Sequence, residues 1–220
     1  MAATTATEPK GTGSSAGPSA SAAVPPDVEA KLRALVEANP GQGSYEEYAH
    51  IWQTIAARAP GKVLVFGVGR DTPLWLEANA GGRTVFVEHE PEWIAETRRR
   101  QPEAEVVQVR YRTRARWWRL YLLVPARLEM RDLPDDVRRE QWDVIFVDSP
   151  QGFNAKTPGR MASIYTAAQM AGELGGVDVL VHDTNRTIER RCGDRFCGVE
   201  NLVAAVRTLR HYRVPRQQVR

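Results

Sequence analysis

Cysteine is scarce in this chain of 220 residues, which holds only 2. Cys192 and Cys197 are separated by four residues in RRCGDRFCGVEN. That spacing is too wide for a redox Cys-x-x-C, and no second pair completes a zinc site. A short-range disulfide in an oxidising compartment and two free thiols both remain open. No apolar run approaches the roughly 20 residues that span a bilayer, and the amino terminus lacks the apolar core of a secretory signal. Residues 1–26 lack any large apolar side chain beyond Met1 and Val24, and they lack arginine altogether. A segment built of Ala, Ser, Thr, Gly and Pro cannot offset the entropy cost of ordering, so 1–26 reads as a disordered tail and 27–220 as a single folded domain. Its Ser/Ala richness leaves a transit peptide open, against which the missing arginine argues.

Strong net charge is also absent, at +3 formally. Positive charge is instead gathered in Arg98–Arg100 and in YRTRARWWRLYLLVPARLEMR (111–131). Nucleic acid is one reading of that basic, aromatic segment, and an acidic sugar polymer suits it equally. The plainer reading, preferred here, is an amphipathic helix with solvated arginines and a Trp/Leu core face, so no nucleic-acid partner is expected.

With 42% hydrophobic residues and six tryptophans, the chain has the means to build a core. Four apolar runs read as strands of a mostly parallel sheet: GKVLVFGVGRD (61–71), TVFVEHEP (84–91), WDVIFVDSPQG (142–152) and VDVLVHDTNR (177–186). EVVQVRYRT (105–113) reads as a further strand. Helical spacing places Val28, Leu32, Leu35 and Val36 on one face, and Ser44 stands where it would cap a second helix. TPLWLEANA, PEWIAETRRRQP and MASIYTAAQMAGEL supply helices between strands. Alternation of strand and helix predicts a doubly wound α/β fold of Rossmann-like class. Each strand ends in polar or glycine-rich residues, at the edge where open α/β sheets bind ligands.

The third glycine of a dinucleotide fingerprint is missing. Gly67 and Gly69 let the backbone turn close to a ligand, but three positions after Gly69 stands Thr72, then Pro73. A pyrophosphate therefore has no evident cradle. Glu88, about 20 residues on at the next strand end, can accept hydrogen bonds from two ribose hydroxyls. Gly67, Gly69 and Glu88 thus favour a nucleoside cofactor without phosphates, S-adenosylmethionine (SAM). Ordinary turns with a solvated Glu88 are the alternative.

Asp148 ends an otherwise apolar strand, and His182, Asp183 and Asn185 follow another. Methylation of a sugar hydroxyl needs a base or a metal to take or polarise its proton, so Asp148, His182 and Asp183 are the candidate catalytic residues. Asp148, Asp183 and Asn185 also form a hard-oxygen set suited to a divalent cation. His182 as a satisfied core histidine is the competing reading. Arg160, in PGRM, can pair bidentately with a substrate carboxylate or lock its loop to Asp148 or another acid.

LVFGVGRDTPLW, GGRTVFVEHEPEW, VRYRT, WDVIFVDSPQGFNAKTPGRMASIYTAAQMA and VDVLVHDTNRTIE, in this order, resemble a plant-type polysaccharide-biosynthesis family that includes glucuronoxylan 4-O-methyltransferases and irregular-xylem proteins. The resemblance runs from about 44 to 214. It implies a class I SAM-dependent methyltransferase fold, SAM as donor, and the 4-hydroxyl of glucuronic acid side chains on xylan as acceptor, an acidic polysaccharide partner whose carboxylate Arg160 would grip. It also implies a Golgi location. The membrane anchor usual in plant members is not seen in this sequence, which leaves a cytoplasmic placement or a shortened chain open. Some relatives have no established catalytic role, so a non-catalytic factor in xylan biosynthesis is the second expectation and a nucleic-acid methyltransferase the third.

Overall fold

The computed structural model describes residues 23–216. Most of the expected tail, 1–22, lies outside the described residues, and 23–25 lead into α1 (Pro26–Ala38). Proline's fixed φ suits this first turn, and Val28 and Leu32 are buried as their spacing predicts. Ser44 caps α2 (Tyr45–Ala56) as expected. The Glu47 amide donates to Ser44 Oγ at 3.3 Å and the Ser44 amide to Glu47 Oε2 at 2.8 Å, a reciprocal capping box.

The strands are β1 (Lys62–Phe66), β2 (Arg83–Glu88), β3 (Glu105–Gln108), β4 (Val144–Val147), β5 (Val177–Val181), β6 (Leu202–Val206) and β7 (Leu209–Val214). They form one sheet in the order β3-β2-β1-β4-β5-β7-β6. The first five are parallel, and β7 runs antiparallel to both its neighbours. The strand order reverses between β1 and β4, which opens a crevice at their carboxyl ends. Helices α3 (Thr72–Ala78), α4 (Pro91–Arg100), α5 (Trp118–Leu123), α6 (Asp135–Arg138), α7 (Met161–Leu174) and α8 (Thr187–Gly193) complete the connections.

Alternate residues of each central strand feed opposite faces. Leu64, Phe66, Val85 and Ile145 pack with α7 on one side, and Val63, Val65, Phe86 and Phe146 pack with α1 and α2 on the other. Both faces are covered, which is why these strands read as unbroken apolar runs. Each fully buried side chain contributes about 1.5–3 kcal/mol, so the central strands form a rigid platform.

Two expectations need correction, and one element was missed. The segment 105–113 is strand only over Glu105–Gln108. It is the outer strand of the sheet, and short edge strands limit unwanted pairing. The segment 111–131 is not one amphipathic helix: it divides into a single 3-10 turn (Ala115–Trp117), α5, and a second turn (Pro125–Leu128). Pro125 has no amide to donate and forces Val124 out of helical geometry, to φ −128° and ψ 70°. Tyr121 and Leu128 join the core, whereas Trp117 and Leu123 stay 51% and 81% exposed. Finally, the β6–β7 hairpin was not anticipated. Cys192 and Cys197 are buried free thiols.

Candidate active site

The turn after β1 depends on glycine for two reasons. Gly67 sits at φ +119°, and a Cβ there would lie 3.0 Å from Ser149 Cβ at the end of β4. Gly69 donates its amide to Thr72 Oγ1 at 3.0 Å. Thr72, standing where a dinucleotide site has glycine, is thus a buried acceptor that closes the turn. Asp71 precedes α3 and accepts from Trp75 Nε1 at 3.0 Å.

Glu88 ends β2 and is 4% exposed. Its Oε1 accepts from the amides of His89 at 2.6 Å and Glu90 at 2.9 Å, with His89 Nδ1 at 2.7 Å. Burial alone would raise its pKa, but the hydrogen bonds from His89 and Glu90 outweigh it and hold the carboxyl below its ordinary range. Among the described residues Oε2 carries only a long bond from the Val68 amide, 3.3 Å, and is the oxygen left for a ligand.

Facing this turn, the ends of β4 and β5 and the start of α7 bring four charged residues together. Arg160 Nη2 lies 2.9 Å from Asp148 Oδ1 and 2.6 Å from Asp183 Oδ2. Arg186 adds a 2.8 Å contact to Asp183, whose backbone is left-handed at φ 60°. A non-glycine residue held there is costly, and Asp tolerates it better than most. His182 Nδ1 is 3.0 Å from Asp148 Oδ1, and its Nε2 is 3.6 Å from Glu47 Oε1. Desolvation opposes its charge, but the flanking carboxylates prevail and raise its pKa to about 10. The Asp148 and Glu47 carboxylates thus favour the imidazolium form of His182. Asp148 is lowered from its ordinary value, because the Arg160 and His182 charges outweigh its desolvation.

Two participants were not singled out from sequence. Glu47 is 2% exposed, and its Oε1 accepts from the Thr208 amide at 2.7 Å and Thr208 Oγ1 at 2.6 Å. Despite burial, the nearby His182 and the hydrogen bonds from Thr208 hold it far below the usual carboxylate range. Asp71 is pushed the other way, up to about 6, by desolvation and the Asp148 charge. The signal for Glu47 was its place three residues after the Ser44 cap. Asp71 stands within the FGVGRD turn itself.

Gly67, Gly69 and Glu88 on one side and Asp148, Arg160, His182 and Asp183 on the other line a single cavity of about 630 Å³. Asn185 is exposed on the turn beyond and does not line it. Donor atoms of Asp148, His182 and Asp183 lie within 4.8 Å of one another, so two of the three expected metal ligands converge and His182 stands where Asn185 was expected. The position between the two carboxylates is taken by the Arg160 guanidinium, which supplies the neutralising charge there. Arg160 is itself 6% exposed, the arrangement expected of an arginine that locks its loop. Among the described residues no helix is long and apolar enough to cross a membrane.

Comparison with known proteins bears on this geometry. A family model described as IRX15/IRX15L/GXM matches residues 46–212. Arabinogalactan O-methyltransferase 2 of Arabidopsis thaliana is 34% identical over 196 residues, covering 79% of this chain and 67% of that protein. Protein IRX15-LIKE of the same plant is 40% identical over 175 residues, covering 70% and 55%. Glucuronoxylan 4-O-methyltransferase 1, also from Arabidopsis thaliana, is 33% identical over 192 residues, covering 79% and 68%. The chain thus spans between about half and two thirds of the length of these relatives. Among solved structures, the O-methyltransferase TomG from Streptomyces achromogenes, crystallised with SAM, superposes with a TM-score of 0.50 at 16% identity, covering 88% of this chain and 92% of that one. At that identity the likeness speaks to fold, and it agrees with the strand order above in placing the domain in the class I SAM-dependent methyltransferase fold. A match running from α2 into β7, with relatives above 30% identity across most of the chain, turns the resemblance carried by PGRMASIYTAAQMA into kinship: this chain belongs to the IRX15/IRX15L/GXM family.

Proposed function

We propose that this chain is a SAM-dependent O-methyltransferase whose acceptor is the 4-hydroxyl of glucuronic acid side chains on a xylan-type cell-wall polysaccharide. The observation that carries the reading is the shared cavity, with the glycine turn and Glu88 facing the charged cluster across it. Gly67 and Gly69 allow close backbone approach, and Glu88 Oε2 would accept from the ribose hydroxyls. The bound donor supplies an electrophilic methyl on a sulfonium. The remaining work is positioning and removal of the hydroxyl proton. Arg160 fixes Asp148 and Asp183, and Asp148 orients His182. His182 must first lose a proton to act as base, and a cationic donor in the same cavity would lower its pKa toward neutrality. A divalent ion at Asp148 and Asp183 would have to displace the Arg160 guanidinium. The Golgi lumen, expected from kinship, belongs to this proposal as well.

The same cluster favours one other reading. His182 Nδ1 and Arg160 Nη2 are both engaged by acidic neighbours, which suits a non-catalytic biosynthesis factor that keeps the fold. Methyl transfer to glucuronoxylan bearing free 4-hydroxyls, followed across pH, separates the two. The enzyme reading expects transfer with an alkaline-rising limb that disappears in His182→Gln. SAM binding without transfer at any pH supports the factor.

A further inference from the structure

Arg160 holds Asp148 and Asp183 through Nη2 alone and is 6% exposed, so it can meet at most the one sugar inside the cavity, and carboxylates further along an acidic acceptor need another surface. The segment after β3 has the means. Arg110, Arg114, Arg116, Arg119 and Arg127 are all exposed, and among the described residues none forms an ion pair with a carboxylate. Arg112, by contrast, faces Asp132 at 3.5 Å, and Arg131 faces Glu129 at 3.4 Å. Trp117 is half-exposed in the midst of the free arginines.

This surface is joined to the cavity. The Ala115 amide donates to Thr157 O at 2.9 Å and the Arg116 amide to Ala155 O at 3.1 Å, while Arg114 Nη1 reaches Lys156 O at 3.4 Å. The loop so held carries Gln151, Phe153 and Arg160 into the cavity wall, and Phe153 is 66% exposed at the rim. The loop thus ties the cavity rim at Phe153 to the turn that carries Arg114, Arg116 and Trp117.

The rings distinguish the polymer. The Arg116 guanidinium lies 5.3 Å from the Trp117 centroid and that of Arg119 lies 4.8 Å from Trp118. A guanidinium parked on a ring covers a face that a nucleobase would need for stacking. It also holds the planar fork ready for a carboxylate, which pairs with it bidentately. From this we infer that the Arg110–Arg127 surface is a second binding site, outside the cavity, that reads uronate carboxylates along the acceptor chain. The inference rests on the acidic-polysaccharide reading above.

The test uses the full chain and three probes: glucuronoxylan, the same polymer with its carboxyls reduced to alcohols, and single-stranded RNA. Binding is measured for the native chain and for a variant carrying Arg114→Ser, Arg116→Ser and Arg119→Ser, with Trp117→Ala as a second variant. S-adenosylhomocysteine affinity, a cavity property, is followed in parallel and should not change. The native chain should bind glucuronoxylan at least tenfold more tightly than the reduced polymer, and the triple variant should lose that preference. Undiminished glucuronoxylan binding by the triple variant, equal affinity for the reduced polymer, or tighter binding of RNA would overturn the inference. Failure to bind S-adenosylhomocysteine would strike the cofactor reading instead, while the polymer comparison still decides the surface.

Discussion

Between Asp148 and Glu47, His182 holds a proton that an ordinary imidazole would have shed by neutral pH. Its pKa is raised from 6.5 to about 10, so its stabilising charge is fully present below pH 6.5 and is lost as pH rises through 10. Unfolding free energy should therefore fall by about 2–4 kcal/mol between pH 7 and 10. Urea unfolding at the two pH values measures this, and His182→Gln should flatten the dependence. A variant that keeps the full slope would show that the proton resides elsewhere. Glu88 shows the opposite balance, since its own turn donates enough hydrogen bonds to keep a buried carboxyl ionised. Both residues were legible as candidates because each follows an apolar strand. Their protonation was not, because it depends on partners distant in sequence, with Glu47 supplied by α2.

The elements explain what local patterning conveyed and what it did not. Central strands and α7 were readable from unbroken apolar runs and helical spacing. The β6–β7 hairpin was not, because its turn is Arg207–Thr208, with Arg207 at φ 50° and no glycine or asparagine. Glu47 holds that turn through two hydrogen bonds to Thr208, so the signal lies in α2. The 111–131 segment misled for a simpler reason: its composition suits a helix, but Pro125 ends one. If Glu47 ties α2 to the hairpin, Glu47→Ala should cost about 2–4 kcal/mol, as buried charged hydrogen bonds do. Ser44→Ala, which removes only the cap, should cost about 1 kcal/mol. Denaturant unfolding of both variants checks the ranking, and equal losses would mean that Glu47 serves the cap alone.

Across the whole molecule, the sheet separates structural charge from charge available for chemistry. Near the amino end of β5, Asp178 is enclosed by Arg58 and Arg213, each at 2.8 Å, and by His211 at 3.0 Å. At the carboxyl end the same strand releases His182 and Asp183 into the cavity, beside the crevice where strand order reverses. Family, fold and the joining of the two residue groups in one cavity support a single donor site there. The most direct test of that site is calorimetric titration of the purified chain and of Glu88→Ala with S-adenosylhomocysteine and SAM. Micromolar binding to the native chain, weakened by about 1–3 kcal/mol in the variant, is the predicted result. No binding by the native chain, or equal affinity in both, would contradict the assignment of Glu88 and this cavity to the donor.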